Sequence, residues 1–202
     1  MRLLIDSDAF CKLGASWLLG DAVAALGASL EECGRLAALP YMLRRGSLPR
    51  TYGAAVCEGL VPLAEKIAVV EAPFGPWLER LVPEPAIDPG EAILFATAAA
   101  QCLTIITGDT RALRTLKELE GFPDALSGRV VILEAILLSL CRRLGPEVVR
   151  ERIEPVRQFD TLMRVCFSPG NRAPEEGLIS YFRERQAELA PLALWVPEGE
   201  GR

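Results

Sequence analysis

Four short apolar runs constrain this chain more than anything else in it: "RLLID" at 2–6, "IAVVEA" at 67–72, "LTIIT" at 103–107 and "RVVIL" at 129–133. None shows the period-2 alternation of a strand with one wet face, so each predicts a strand covered on both sides. Helical patterns fill the gaps. Those at 11–19, 21–27, 30–46 and 51–66 separate the first run from the second, 90–101 precedes the third, and 110–121 precedes the fourth. Strands that alternate with helices imply right-handed crossovers and a parallel sheet. The expected fold class is therefore α/β, a central parallel sheet of about four or five strands flanked by helices.

From residue 134 onward the pattern changes. Segments 134–145, 146–159 and 175–189 read as helices, 168–176 ("SPGNRAPEE") reads as a loop, and no further strand is expected. The domain organisation is thus a first unit over 1–133 with a helical C-terminal extension, 134–202, packed on it. The tail "VPEGEGR" at 196–202 is expected to fray.

The chemistry open to the chain is narrowed by what it lacks. It has no histidine among 202 residues, which excludes Ser-His-Asp triads, His-ligated zinc and imidazole acid/base catalysis. A formal net charge of −5 argues against coating a nucleic acid by bulk charge, so a polyanion would have to be held locally. The six cysteines contain no C-x-x-C pair and lie mostly among apolar neighbours, the pattern of reduced core thiols. The apolar stretch 92–107 is interrupted by Gln101 and too short to span a bilayer, and the N-terminus has no signal-peptide pattern, so a cytoplasmic location is expected.

Acidic residues collect where such a sheet carries its site, at the C-terminal ends of the strands. Asp6 ends the first run, Asp109 follows the third by two residues, and Glu91 opens the helix leading into that third strand. "DPGE" at 88–91 is also a capping box, and Asp8 and Asp109 suit helix N-caps. Asp6 fits that role less well because the predicted helix starts farther on. A carboxylate buried beneath a strand end needs donors or a cation, and several acids at one point are ordinarily reconciled by a divalent metal.

"LLIDSDAF" resembles the opening of a PIN domain, and "DPGEAILFATAAAQCLTIITGDTRAL" is similar to that family's second signature, an acid heading an Ala-rich helix and a strand ending in Thr-x-Asp. The resemblance covers about residues 1–133. It implies a metal-dependent ribonuclease whose Mg²⁺ or Mn²⁺ is held by Asp6, Glu91 and Asp109, with Asp8 and Thr107 as auxiliary residues. A remaining catalytic acid is expected early in a helix; Glu31, Glu32 and Glu58 are candidates, with Glu32 favoured. Arg44, Arg45 and Arg50, and Arg111, Arg114 and Lys117, would flank RNA, with Tyr41 and Tyr52 available for stacking. The helical extension has no counterpart in the resemblance. The apolar positions of "EVVRERIEPVRQF" could pack on the chain's own core, form a homodimer or receive an inhibitory, antitoxin-like protein partner.

Two other classes compete. "LLIDSDAF" and "LTIIT" also look like the first two motifs of haloacid-dehalogenase-type phosphatases, although Lys117 is the sole lysine after Thr107 and Glu134 stands where that family has an acidic motif. A non-catalytic PIN-like module that binds RNA or protein is the third.

Overall fold

The computed structural model describes residues 1–200. Its centre is one five-stranded, wholly parallel sheet in the order β3-β2-β1-β4-β5, with β1 Leu3–Ile5, β2 Cys33–Leu36, β3 Ala68–Val70, β4 Thr104–Thr107 and β5 Val130–Ile132. Helices α1 Ser7–Ala15 and α2 Leu19–Ala25 lie between β1 and β2, and α3 Leu39–Arg44, α4 Ser47–Tyr52 and α5 Ala54–Lys66 between β2 and β3. Helices α6 Pro76–Leu81 and α7 Pro89–Gln101 lead to β4, and α8 Thr110–Leu116 and α9 Phe122–Ala125 to β5. The extension contains α10 Leu133–Leu144, α11 Pro146–Ile153, α12 Thr161–Cys166 and α13 Pro174–Leu189.

The strand sequences explain why the sheet is buried on both faces along β1, β4 and β5, whereas the edge strand β3, expected to be covered too, leaves Ala68 and Val69 exposed. Side chains alternate across a strand, so Leu3, Ile5, Ile106 and Val131 point into one core and Leu4, Ile105, Val130 and Ile132 into the other. The first core also takes in α1, α2, α5 and much of the extension, including Ile136, Val149, Met163 and Phe167. The second takes in α7, α8 and Phe182 and Leu189 of α13. The extension is thus packed into the same hydrophobic interior as the sheet. Of the apolar positions of "EVVRERIEPVRQF", Val149, Ile153 and Val156 are fully buried within the chain, Phe159 is partly buried and Val148 is exposed.

Three local expectations are corrected. The segment 30–46 is not one helix: a 3₁₀ turn at 30–32 is followed by β2 and then by α3. "CGRL" lacks the apolar signature of a strand because Gly34 must admit close neighbours and Arg35 hides its charge. A Cβ at Gly34 would lie 2.4 Å from Met1 Sδ and 2.9 Å from Val70 Cγ2. The Arg35 guanidinium, 6% exposed, donates to the carbonyls of Ala64 (2.6 Å) and Leu36 (2.9 Å). Second, the chain returns to β5 after the last helix: Leu194 forms an isolated parallel bridge with Val130, and Trp195 N–H donates to the Val130 carbonyl at 2.8 Å. Third, the tail is anchored as far as Glu200, whose carboxylate accepts from Arg142 at 2.6 Å and Arg183 at 3.3 Å; residues 201–202 lie outside the described residues.

All six cysteines are free; five are buried, whereas Cys102 is exposed in the left-handed turn that ends α7. Among the described residues no helix is long and apolar enough to cross a membrane.

Candidate functional site

The strand order reverses beside β1. The chain runs outward from β1 to β2 and β3, then returns to the other side of β1 with β4, and such a reversal opens a crevice at the carboxyl ends of the two strands. Asp6 lies at that point: its N–H donates to the Ile106 carbonyl at 3.0 Å, continuing the pairing of β1 with β4. Asp109 follows β4 on the same edge. A cleft of about 490 Å³ opens there, with Asp6, Asp8, Asp88, Glu91 and Asp109 in its walls.

Each acid is placed by local rules. Helix α1 starts at Ser7, earlier than expected, so Asp6 occupies its N-cap position while making no side-chain cap bond. Asp8 stands in the first turn rather than at the cap. Asp88 and Glu91 form the capping box of α7, with Glu91 N–H donating to Asp88 Oδ1 and Asp88 N–H donating to Glu91 Oε2, both at 2.8 Å. Gly90 belongs to this turn for steric reasons, since a Cβ would fall 2.6 Å from Leu36 Cδ1. Asp109 caps α8 through Ala112 N–H at 2.9 Å. Thr107, 1% exposed, braces the loop by accepting from Asp109 N–H at 3.2 Å and does not line the cleft. Capping and cleft lining thus coexist in Asp88, Glu91 and Asp109.

Burial, reinforced by neighbouring carboxylates, perturbs Asp6 and Glu91. Burial, followed by the Asp8 charge and then those of Asp88 and Asp109, pushes Asp6 up to about 7 despite a hydrogen bond from Ser7 N–H. Glu91, 7% exposed, is pushed up to about 8, first by burial and then by its hydrogen bond and charge contact with Asp109. Near neutrality this edge therefore retains protons that a cation could displace.

Asp8 is held differently. Its Oδ1 accepts from the Tyr52 hydroxyl at 2.5 Å and its Oδ2 from Lys12 Nζ at 2.7 Å. Lys12 is only 8% exposed and also reaches Asp160 Oδ2, at 2.5 Å. Burial acts to lower the Lys12 pKa, but Asp8 and Asp160 outweigh it and the ammonium stays above the ordinary lysine value. Asp160 belongs to the C-terminal extension, where its other oxygen caps α12 through Met163 N–H. Next to it Phe159 packs edge-on against Tyr52, with ring centroids 5.4 Å apart.

Glu32 is not in the cleft. Its carbonyl accepts from Arg2 N–H at 2.7 Å and its carboxylate lies 3.8 Å from Arg2, at the amino end of β1. The run from Arg2 to Asp6 puts it about 13 Å from the acidic edge. Glu31 shares that turn, and Glu58 is exposed on α5, 3.9 Å from Arg44. The expected fourth acid of the edge is supplied by Asp88 instead.

Of the basic residues expected to flank the site, Arg44 pairs with Glu65 at 3.2 Å, Arg50 donates to the Gly46 carbonyl, and Arg114 and Lys117 both bond to Glu188. Arg45 and Arg111 are exposed and make no ion pair among the described residues. Arg45 directly precedes the Gly46–Ser47 turn at the cleft wall, and Arg111 follows Asp109 by two residues. Tyr41 is exposed, while Tyr52 is buried and committed to Asp8. Sequence reasoning did not find Lys12, Asp160, Ser47 or Thr51; the last two bring hydroxyls to the cleft. A larger groove of about 700 Å³ between α1 and α5 is lined mainly by apolar and small residues, with Lys66 its one charged side chain, and offers no carboxylate.

The donor chemistry of the cleft suits a hard divalent cation, because every candidate ligand is an oxygen. Among the described residues no three acid, cysteine or histidine side chains stand close enough to form a ready-made cage. Mg²⁺ needs none: it is commonly held by one or two carboxylates and keeps several waters. Comparison with protein-family models, curated proteins and solved structures finds no match to this chain.

Proposed function

We propose that this chain is a PIN-like, metal-dependent ribonuclease, with Asp6, Glu91 and Asp109 holding Mg²⁺ or Mn²⁺, in part through water. The observation that carries this reading is the convergence of five carboxylates on one cleft at the strand-order reversal, two of them displaced to about 7 and 8. Repulsion among them is unfavourable and is relieved by a dication.

A bound cation supplies charge stabilisation for a phosphodiester and an activated water. The protein's own residues account for the rest. Asp6 and Asp109 both line the cleft at the carboxyl ends of β1 and β4 and would hold the cation there. Glu91, its pKa raised in the metal-free protein, would release its proton on ligating a cation. Arg45 and Arg111, exposed and each two residues in sequence from a residue of the cleft wall, are cations available to phosphates flanking the one being cut, and Ser47 and Thr51 add hydroxyl donors. This local arrangement suits RNA binding despite the net charge of −5.

The test is cleavage of a mixed-sequence single-stranded RNA with Mn²⁺, comparing the parent with Asp6→Asn and Asp109→Asn. Loss of at least a hundredfold in both, with folding intact, is expected. Equal cleavage by parent and variants refutes the assignment. Mn²⁺-independent RNA binding without cleavage would favour the non-catalytic module, and release of phosphate from small phosphomonoesters would favour the phosphatase. For that last chemistry, Lys117 is turned toward Glu188 and Glu118.

A further inference from the structure

Among the described residues, one cation is in an ion pair with an acid of the cleft, and it is Lys12. Its placement is unusual. A lysine 8% exposed has lost most of its hydration, and an ammonium keeps its charge in such a place only when well paired. Here it is shared: Asp8 of the cleft lies at 2.7 Å and Asp160 of the extension at 2.5 Å. The two carboxylates approach it from segments 148 residues apart at the Asp160 side and one helical turn apart at the Asp8 side.

We propose that Lys12 is the built-in counter-ion of the cleft and that Asp160 sets how much of its charge the cleft feels, so that the C-terminal extension governs divalent-cation affinity. This rests on the cation-binding reading above. Lys12 attracts Asp8 and repels an incoming dication; Asp160 offsets part of that positive charge. Both contacts are held by more than the ion pair. Asp8 is also fixed by Tyr52, and Asp160 by its cap bond to Met163 N–H, while Tyr52 and Phe159 pack against each other across the same junction. Lys12 and Asp160 are positioning residues, acting on a cation through field and geometry.

The geometry predicts shifts of opposite sign. Lys12→Met removes the one positive charge paired, among the described residues, with an acid of the cleft and should tighten Mn²⁺ binding severalfold. Asp160→Asn keeps the cap acceptor, leaves the Lys12 charge less compensated and should weaken Mn²⁺ binding about twofold. The double variant should bind with an affinity between those of the two single variants, because the two charges' fields add. A purely structural role would weaken binding in both single variants or in neither.

The experiment is titration calorimetry with Mn²⁺ on the full chain at one fixed pH, with circular dichroism to verify folding. Opposite shifts support the proposal; unchanged affinities, shifts of the same sign or a double variant outside the range of the two single variants overturn it. If Lys12→Met does not fold, Asp160→Asn decides: weaker binding supports, equal or tighter binding overturns. No Mn²⁺ binding by the parent at millimolar metal would instead overturn the cation-binding reading itself, and this proposal with it.

Discussion

Replacing Asp6 by Asn should stabilise the metal-free protein, and by an amount that depends on pH. A carboxyl whose folded-state pKa is raised keeps its proton in the native protein where the unfolded chain has already released it. Its contribution to stability is therefore complete below about pH 4 and is lost as pH rises through about 7. The displacement of Asp6 from 3.8 to about 7 corresponds to a penalty of about 4 kcal/mol at pH 8. Part of it comes from Asp8, Asp88 and Asp109, whose fields are screened by salt, so a gain of about 2–3 kcal/mol is expected from Asp6→Asn. The amide oxygen can still accept from Ser7 N–H, so that hydrogen bond survives. Urea unfolding with a chelator present, at pH 4 and pH 8, measures the difference. A variant no more stable than the parent at pH 8, or equally stabilised at both values, would refute the claim that Asp6 is buried in a field of like charge.

Two other substitutions probe the edges of this account. Glu32→Gln should leave Mn²⁺ affinity and RNA cleavage within twofold of the parent, since Glu32 sits at the amino ends of the strands; a loss comparable to that of Asp109→Asn would contradict the assigned register. Phe182→Ala, on α13 and wholly buried against the sheet, should cost about 3–5 kcal/mol in urea unfolding, and a cost below about 1 kcal/mol would mean that the extension is not part of the core.

What could be read from the sequence follows from where its information is local. β1, β4 and β5 were legible because burial on both faces selects continuous apolar runs, and β3 because its run is apolar and β-branched although Ala68 and Val69 are exposed. β2 was not, since a glycine forced by Met1 and Val70 and an arginine paired with backbone carbonyls erase that signal. Reading 30–46 as a helix then carried Glu32 to the wrong end of the sheet. Asp6, Glu91 and Asp109 were placed together because each is tied to a strand end or helix start whose direction the parallel topology settles. Asp88 was visible only as a cap, and its second role depends on how close α7 comes to β2. The Asp8–Lys12 spacing is the i,i+4 pairing of any exposed helix; nothing in it signals that Lys12 is buried or that Asp160 will meet it.

The return of the chain to β5 bears on how copies of this protein behave toward one another. A parallel sheet ends in two rows of unsatisfied backbone groups, each a template for strand addition by a neighbour. At β5 the carbonyl of Val130 is already taken by Trp195, and the Ala193 carbonyl accepts from Gly128, so the segment after α13 acts as a guard rail along that margin. The opposite margin, β3, is three residues long and offers little purchase for amyloid-like stacking. Both margins are three residues long; the molecule covers the one at β5 with its own backbone and leaves bare only the one at β3, too short to recruit a partner.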